Sequence, residues 1–286
     1  MHDRSIDVCF VFFRSLRIAH LEAALYSLSR QNLTDVRQIR FLDNNTDFTF
    51  TDIASVLPKF FRPDGSEVPV DFESLKHQDE TKTQSWSVNH VCRDMCPDDV
   101  FLFFTRADYI LDFDCLSAFT EALAQDGYGL RSTFVTSWAY HMAYDERGDQ
   151  RIDAFRDIEV HGWRHKGAQV LLDAVNGWQV QSSHTDAGVW LTHRRVLERA
   201  GWMDERLWKS GYQPTEFQKR IRERGTTILE IPRYLFFHQH HAAPRSYDEA
   251  KAQLAEAGTS VEELAQFRPD VVHHAGAVCD ELDVKK

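Results

Sequence analysis

Apolar positions along the first half of this chain alternate between short unbroken runs and helical stripes. Val8-Cys-Phe-Val-Phe-Phe13 is one such run, the pattern of a strand covered on both faces. Ile18, Leu21, Leu25 and Leu28 follow at the spacing of an amphipathic helix. Ile39-Arg-Phe-Leu42 predicts a second strand, which closes on the polar turn formers Asp43-Asn-Asn-Thr-Asp47. Between Pro58 and Pro69 the chain reads as irregular, and Val68-Pro-Val-Asp-Phe72 as a short edge strand, because proline cannot donate to a ladder. A helix is expected from about Ser87 to Met95. Val100-Phe-Leu-Phe-Phe104 then forms another buried strand, and the apolar pattern around it is broken by one isolated carboxylate, Asp108. Leu116, Phe119 and Leu123 mark the next helix, ended by Gly127-Tyr-Gly129. Strands alternating with helices in this order predict a mainly parallel sheet with right-handed crossovers.

The second half is less regular. Phe134 to Tyr144 is aromatic and suits one or two further strands, whereas residues 146–183 are polar and lack periodicity, as binding loops often do. Ala187-Gly-Val-Trp-Leu191 predicts a strand and His193 to Ala200 a short helix. A longer helix carries Phe217, Arg220 and Ile221 and stops at Gly225. Thr227-Ile-Leu-Glu-Ile231 and Tyr234-Leu-Phe-Phe237 read as two strands, the second ending on His238-Gln-His-His241. A helix near Asp248 to Glu256 and a capping box, Ser260-Val-Glu-Glu263, complete the pattern.

With 286 residues and 43% hydrophobic content, the chain can bury a sizeable core. Its net charge of −11, without a Lys/Arg block, argues against an extended nucleic-acid partner but permits a local basic pocket. The five cysteines lie mostly in apolar patterns and read as reduced core thiols. No apolar run reaches bilayer length, and Met1 to Asp7 leads into a strand without a signal-peptide pattern, so a cytoplasmic protein is expected. Neither a Gly-x-Gly-x-x-Gly after the first strand nor a Walker sequence is present, which argues against a dinucleotide-binding or P-loop fold. Asp108, past the carboxyl end of a buried strand, stands where open α/β sheets bind ligands. It could hold a divalent cation there, or it could open a turn beside Asp112 and Asp114.

The most specific run is Asp186-Ala-Gly188, Arg194-Arg195, Gly201-Trp-Met-Asp-Glu205, Gly211, Thr215-Glu216, Arg220 and Gly225. Together with the Asp43 to Asp47 loop, and in this order, it resembles the inverting glycosyltransferases of family 2, over roughly Ile6 to His241. The resemblance implies a GT-A fold, an α/β architecture with a mainly parallel mixed sheet flanked by helices, over residues 1–245, followed by a C-terminal helical extension, 246–286. It implies transfer of a sugar from a nucleotide-diphospho-sugar donor to a hydroxyl of a carbohydrate or glycan-bearing acceptor, with inversion. Single transfer is expected, since the Gln-x-x-Arg-Trp of processive synthases and their membrane helices are absent.

What the resemblance implies for individual residues follows the same order. Glu216 stands in place of the family's general base, with a first-turn helix carboxylate as the alternative reading. Phe13, Arg14, Asp43, Asn89, Arg106, Ala107 and Asp108 line the donor, with Arg17 a further phosphate contact and Trp86 beside Asn89. Asp186, Gly188, Trp202 and Asp204 lie on the acceptor side. The family's Asp-x-Asp metal motif reads Arg106-Ala107-Asp108 here. Either Asp108 holds Mn2+ or Mg2+ with His238 or His240, or Arg106 itself pairs with a phosphate. The rival classes are a catalytically silent binding protein of the same fold and a sugar-phosphate nucleotidyltransferase, whose early glycine-rich loop is missing. The extension could form a homodimer, pack back on the sheet or reach a partner.

Overall fold

The computed structural model describes residues 5–13, 16–77, 79, 81–124, 130–142, 180–183, 188–207, 213–239, 247–266 and 270–271. Four strands make its parallel half: β1 (Ile6–Phe13), β2 (Val36–Asn44), β3 (Val70–Leu75) and β4 (Phe101–Arg106), in the order β3-β2-β1-β4. β3, the strand expected at an edge, ends the sheet on that side. On the other side β8 (Trp190–His193) pairs antiparallel with β4, and β6 (Thr133–Met142) runs between β8 and β9 (Thr227–Gln239). β7 (Val180–Ser183) and β5 (Tyr109–Leu111) are attached antiparallel to β6 and β9.

The unbroken apolar runs are explained by the two faces they bury. Along β4, Phe101 and Phe103 enter one core cluster while Leu102 and Phe104 enter the other. On β1, Phe10 and Phe12 alternate in the same way with Cys9 and Val11. Burial of the four β4 side chains contributes roughly 6–12 kcal/mol of transfer free energy before conformational entropy is counted. Helices α1 (Ile18–Ser29) and α4 (Cys115–Ala124) supply Leu21, Leu25, Leu28, Leu116 and Phe119 to the first cluster. The second cluster takes Val88 of α3 (Gln84–Asn89), Val91 of the π-turn that continues it, Leu197 of α5 (Arg194–Ala200) and Phe217 of α6 (Gln213–Glu223). Cys9, Cys92, Cys96 and Cys115 are free and buried. Among the described residues no helix is long and apolar enough to cross a membrane.

Three elements differ from expectation. α2 (Phe50–Val56) lies between the Asp43–Asp47 turn and the irregular Pro58–Pro69 stretch, where no element was assigned; Thr49 Oγ1 accepts from the Asp52 amide and Asp52 Oδ2 from the Thr49 amide, so reciprocal capping starts it. The predicted strands around Pro232 are one strand, β9. Its ladder with β6 runs from Ile231 to Tyr234 and skips Pro232, which needs no donor at such a slip. The expected helix over Ser87 to Met95 begins earlier and ends in the π-turn His90–Asp94. At the C-terminal side, α7 (Tyr247–Glu256) and α8 (Val261–Gln266) place Leu254 and Leu264 on Leu207. Glu263 lies 2.9 Å from Lys219 of α6, and β10 (Asp270–Val271) pairs parallel with β9.

Candidate functional site

Strands β1, β2 and β4 are in parallel register, so Phe12 sits opposite Asp43 and Val11 opposite Arg106. Phe13, Asp43 and Arg106 therefore share one carboxyl edge of the sheet, where such sheets place their ligands. Beyond β4 the chain turns at Ala107 and Asp108 into β5, which β9 pins from the far side: Tyr109 pairs with His238, and the Gln239 amide donates to the Asp108 carbonyl at 2.7 Å. Gln239 also reaches the His20 carbonyl at 3.1 Å through Nε2, tying the turn to α1.

The charges at this turn are layered. Asp108 is fully buried, and its Oδ2 receives Arg106 Nη2 at 2.8 Å and faces His238 Nε2 at 2.9 Å. Arg106 Nη2 also donates to the Tyr109 hydroxyl at 2.8 Å. The guanidinium is centred 4.9 Å from the Tyr109 ring and 5.6 Å from the Phe13 ring, both cation–π distances. Tyr109 stacks on His238 at 4.8 Å and meets Phe236 edge-on. Its hydroxyl lies where Gly188 has no side chain: a Cβ there would stand 1.9 Å from Oη. Gly188, expected at the acceptor, thus makes room for the aromatic that supports Arg106.

These groups do not compose a divalent-cation site. A hard cation takes carboxylate oxygens with no fixed positive charge against them, whereas the oxygen of Asp108 facing His238 already holds a guanidinium. No group of three or more His, Cys, Asp or Glu side chains suited to a metal occurs among the described residues. Asp108 and His238, expected as metal ligands, face each other at 2.9 Å, while His240 lies outside the described residues, as do Arg14 and Asp186.

Asp43 is also fully buried. Its Oδ1 accepts from the Thr46 amide at 3.0 Å, and its Oδ2 from Ser74 Oγ at 2.7 Å and Lys76 Nζ at 2.8 Å. It therefore shapes the loop in which Asn45 takes φ +61°. Beyond that loop Trp86 stacks on His90 at 4.9 Å, with Lys82 Nζ 5.0 Å from its ring.

A second group of residues forms around the turn after α5. Gly201 and Trp202 both have left-handed backbone, φ +81° and +65°, which for tryptophan is strained. The turn is held from three sides. Asn89 Nδ2 donates to the Met203 carbonyl and its Oδ1 accepts from the Met203 amide, both at 2.9 Å. Arg220 Nη1 donates to the carbonyls of Ala200 and Trp202 at 2.7 and 2.6 Å. Arg206 forks Asp204, which holds that carboxyl below its usual range, and donates its amide to Oδ1 at 3.0 Å. Asn89, expected beside the donor, pairs through its side-chain amide with both backbone groups of Met203. Glu216 is 8% exposed and accepts bidentately from Arg220, at 2.8 and 3.0 Å.

Sequence reasoning did not single out Tyr109, Gln239 or Lys76. Tyr109 was adjacent to the motif, but its partners Gly188 and His238 are distant in sequence; Lys76 and Gln239 carried no local signal.

No protein-family model and no curated protein matches the sequence. Solved structures do match in shape. The mannosyltransferase PcManGT of Pyrobaculum calidifontis, in complex with GDP-Man and Mn2+, is 14% identical, with TM-score 0.48, covering 87% of this chain and 61% of its own. Residues 1–349 of S. aureus TarS are 11% identical, with TM-score 0.50, covering 91% of this chain and 67% of theirs. A longer TarS structure gives 0.49 at 11% identity, and this chain spans 42% of it. The chain thus shares the general fold of TarS 1–349, a mixed α/β sheet flanked by helices.

Proposed function

We propose that this protein is an inverting glycosyltransferase of GT-A type, similar to family 2, which moves a single sugar from a nucleotide-diphospho-sugar to a hydroxyl of a carbohydrate or glycan-bearing acceptor. The observation that carries the reading is the shared carboxyl edge of β1, β2 and β4, where Phe13, the Asp43 loop and a nearly buried Arg106 converge. An aromatic, a shaped polar loop and a fixed cation are what a nucleoside diphosphate requires of a crevice. Glu216 is the general base in this reading, and Gly188, Trp202 and Asp204 stand on the acceptor side. Four buried free thiols suit a reducing compartment.

The silent-binder reading is favoured by one observation, the engagement of both Glu216 oxygens by Arg220. The deciding experiment supplies UDP-, GDP-, CDP- and dTDP-sugars with a panel of glycan acceptors and measures nucleoside diphosphate release and the anomeric configuration of the product. Release coupled to an inverted product supports the transferase. Donor binding without release for any acceptor moves the protein to the silent class, and a retained configuration refutes inversion.

A further inference from the structure

The order of charges beneath the crevice decides what an incoming diphosphate meets first. At the end of β4 the carboxylate is 0% exposed, while the Arg106 side chain above it is 12% exposed. A bridging metal requires the reverse, an accessible carboxylate. We infer that Arg106, oriented by Asp108, is the direct ligand of the donor diphosphate, and that donor binding does not require a divalent cation. This inference rests on the proposed transferase reading and specifies how its donor site works.

Three features of the surroundings support it. The guanidinium is within cation–π distance of both the Phe13 and the Tyr109 ring, contacts that restrict it before any ligand arrives. Nη2 donates to Asp108 and to the Tyr109 hydroxyl, which anchors a planar guanidinium whose shape suits phosphate oxygens, and its side chain, unlike that of Asp108, is partly exposed. Asp108 is itself held through its backbone by Gln239, and its Oδ2 faces His238. It therefore acts as a positioning residue, whose charge holds Arg106 rather than a metal.

The test is calorimetric titration with UDP, GDP, CDP and dTDP and the matching monophosphates, in Mn2+, Mg2+ or EDTA. Wild type, Arg106→Gln, Arg106→Lys and Asp108→Asn are compared. Expected is one diphosphate that binds in EDTA within about 3-fold of its affinity in Mn2+. Arg106→Gln then weakens the diphosphate at least about 10-fold, a charge-assisted pair lost, and leaves the monophosphate nearly unchanged, which shows that the variant is folded. Arg106→Lys recovers part of the loss, and Asp108→Asn costs less than Arg106→Gln. Diphosphate binding that needs metal, survives Arg106→Gln and is abolished by Asp108→Asn overturns the inference and leaves the transferase standing. Absence of binding by every nucleotide, with and without metal, overturns both.

Discussion

The contact between Gly188 and Tyr109 permits a sharp test of the candidate site's support. Gly188 is absent from the described glycines with left-handed backbone, so space alone calls for glycine there. A Cβ at 188 would lie 1.9 Å from Oη, 2.2 Å from Cζ and 2.5 Å from Cε2 of Tyr109, where ordinary contact begins at 3.4 Å. Gly188→Ala therefore requires a relative displacement of about 1.5 Å, a severe case of overpacking. The ring has little room to give, being 1% exposed and held between His238 and Phe236. Overpacking costs typically 1–3 kcal/mol, and loss of the charged Arg106–Tyr109 hydrogen bond adds about 1.5 kcal/mol, so a destabilisation of about 2.5–4.5 kcal/mol is expected. Urea unfolding should show it as a lower midpoint at constant slope, and melting as a drop of roughly 5–18 °C. In a Tyr109→Ala background the same substitution has nothing to strike, so its penalty should fall below about 1 kcal/mol. An unchanged midpoint for Gly188→Ala, or an equal penalty in both backgrounds, refutes the contact.

Glu216→Gln should keep nucleotide binding and lower transfer by roughly 100-fold or more, the scale of a removed general base, and wild-type transfer would remove Glu216 from that role. Asn89→Ala leaves the Met203 amide and carbonyl unpaired and should cost about 2–4 kcal/mol in urea unfolding, with nucleotide affinity within about 3-fold of wild type; a lost affinity at preserved stability would return Asn89 to the donor. The Asp112 carboxyl is pushed up to about 7, first by burial and then by Asp114. Because the folded state then binds its proton more tightly than the unfolded state, this group favours folding below about pH 4, and stability falls as pH rises towards 7. The loss is at most about 4 kcal/mol. Asp112→Asn should flatten that pH profile and raise stability at pH 8, and an unaltered profile would refute the assignment.

The elements legible in the sequence are those whose signal is local. β1 and β4 announced themselves because both faces of each strand must be apolar, and α8 because Ser260 caps Glu263 within one turn, at 3.1 Å. α2 carried an equally local signal, Thr49 with Asp52, but it was hidden among the turn formers of the preceding loop. β5 was not legible, since three residues acquire strand geometry only by pairing with Phe236 to His238, far along the chain. The same holds in the site. Arg106-Ala-Asp108 could be read as an altered motif, yet which charge lies outermost depends on how β5, β9 and Gly188 close over it. Asn89 was placed at the donor by the resemblance, and its bonds to the Met203 turn, 114 residues away, carried no local signal. Local pattern thus singled out side chains but not the distant partners that they touch.

Glu216 and Arg220 show why the scaffold and the candidate chemistry are hard to separate on this fold. A carboxylate offers about four lone-pair directions, and a bidentate guanidinium uses two of them, so clamping by Arg220 and acceptance of a hydroxyl proton are geometrically compatible. At 8% exposure Glu216 is accessible in a way that Asp108, at 0%, is not. The guanidinium that fixes Glu216 also holds the carbonyl of Trp202, a residue kept in a strained left-handed conformation. Strain of about 1–3 kcal/mol persists only where the surroundings impose it, and here Arg220 and Asn89 do so from two sides. One cation therefore positions the candidate base and the turn proposed to face the acceptor together. Such coupling is the preorganisation a single-step displacement needs, because base and acceptor hydroxyl must meet within hydrogen-bond reach without a further search.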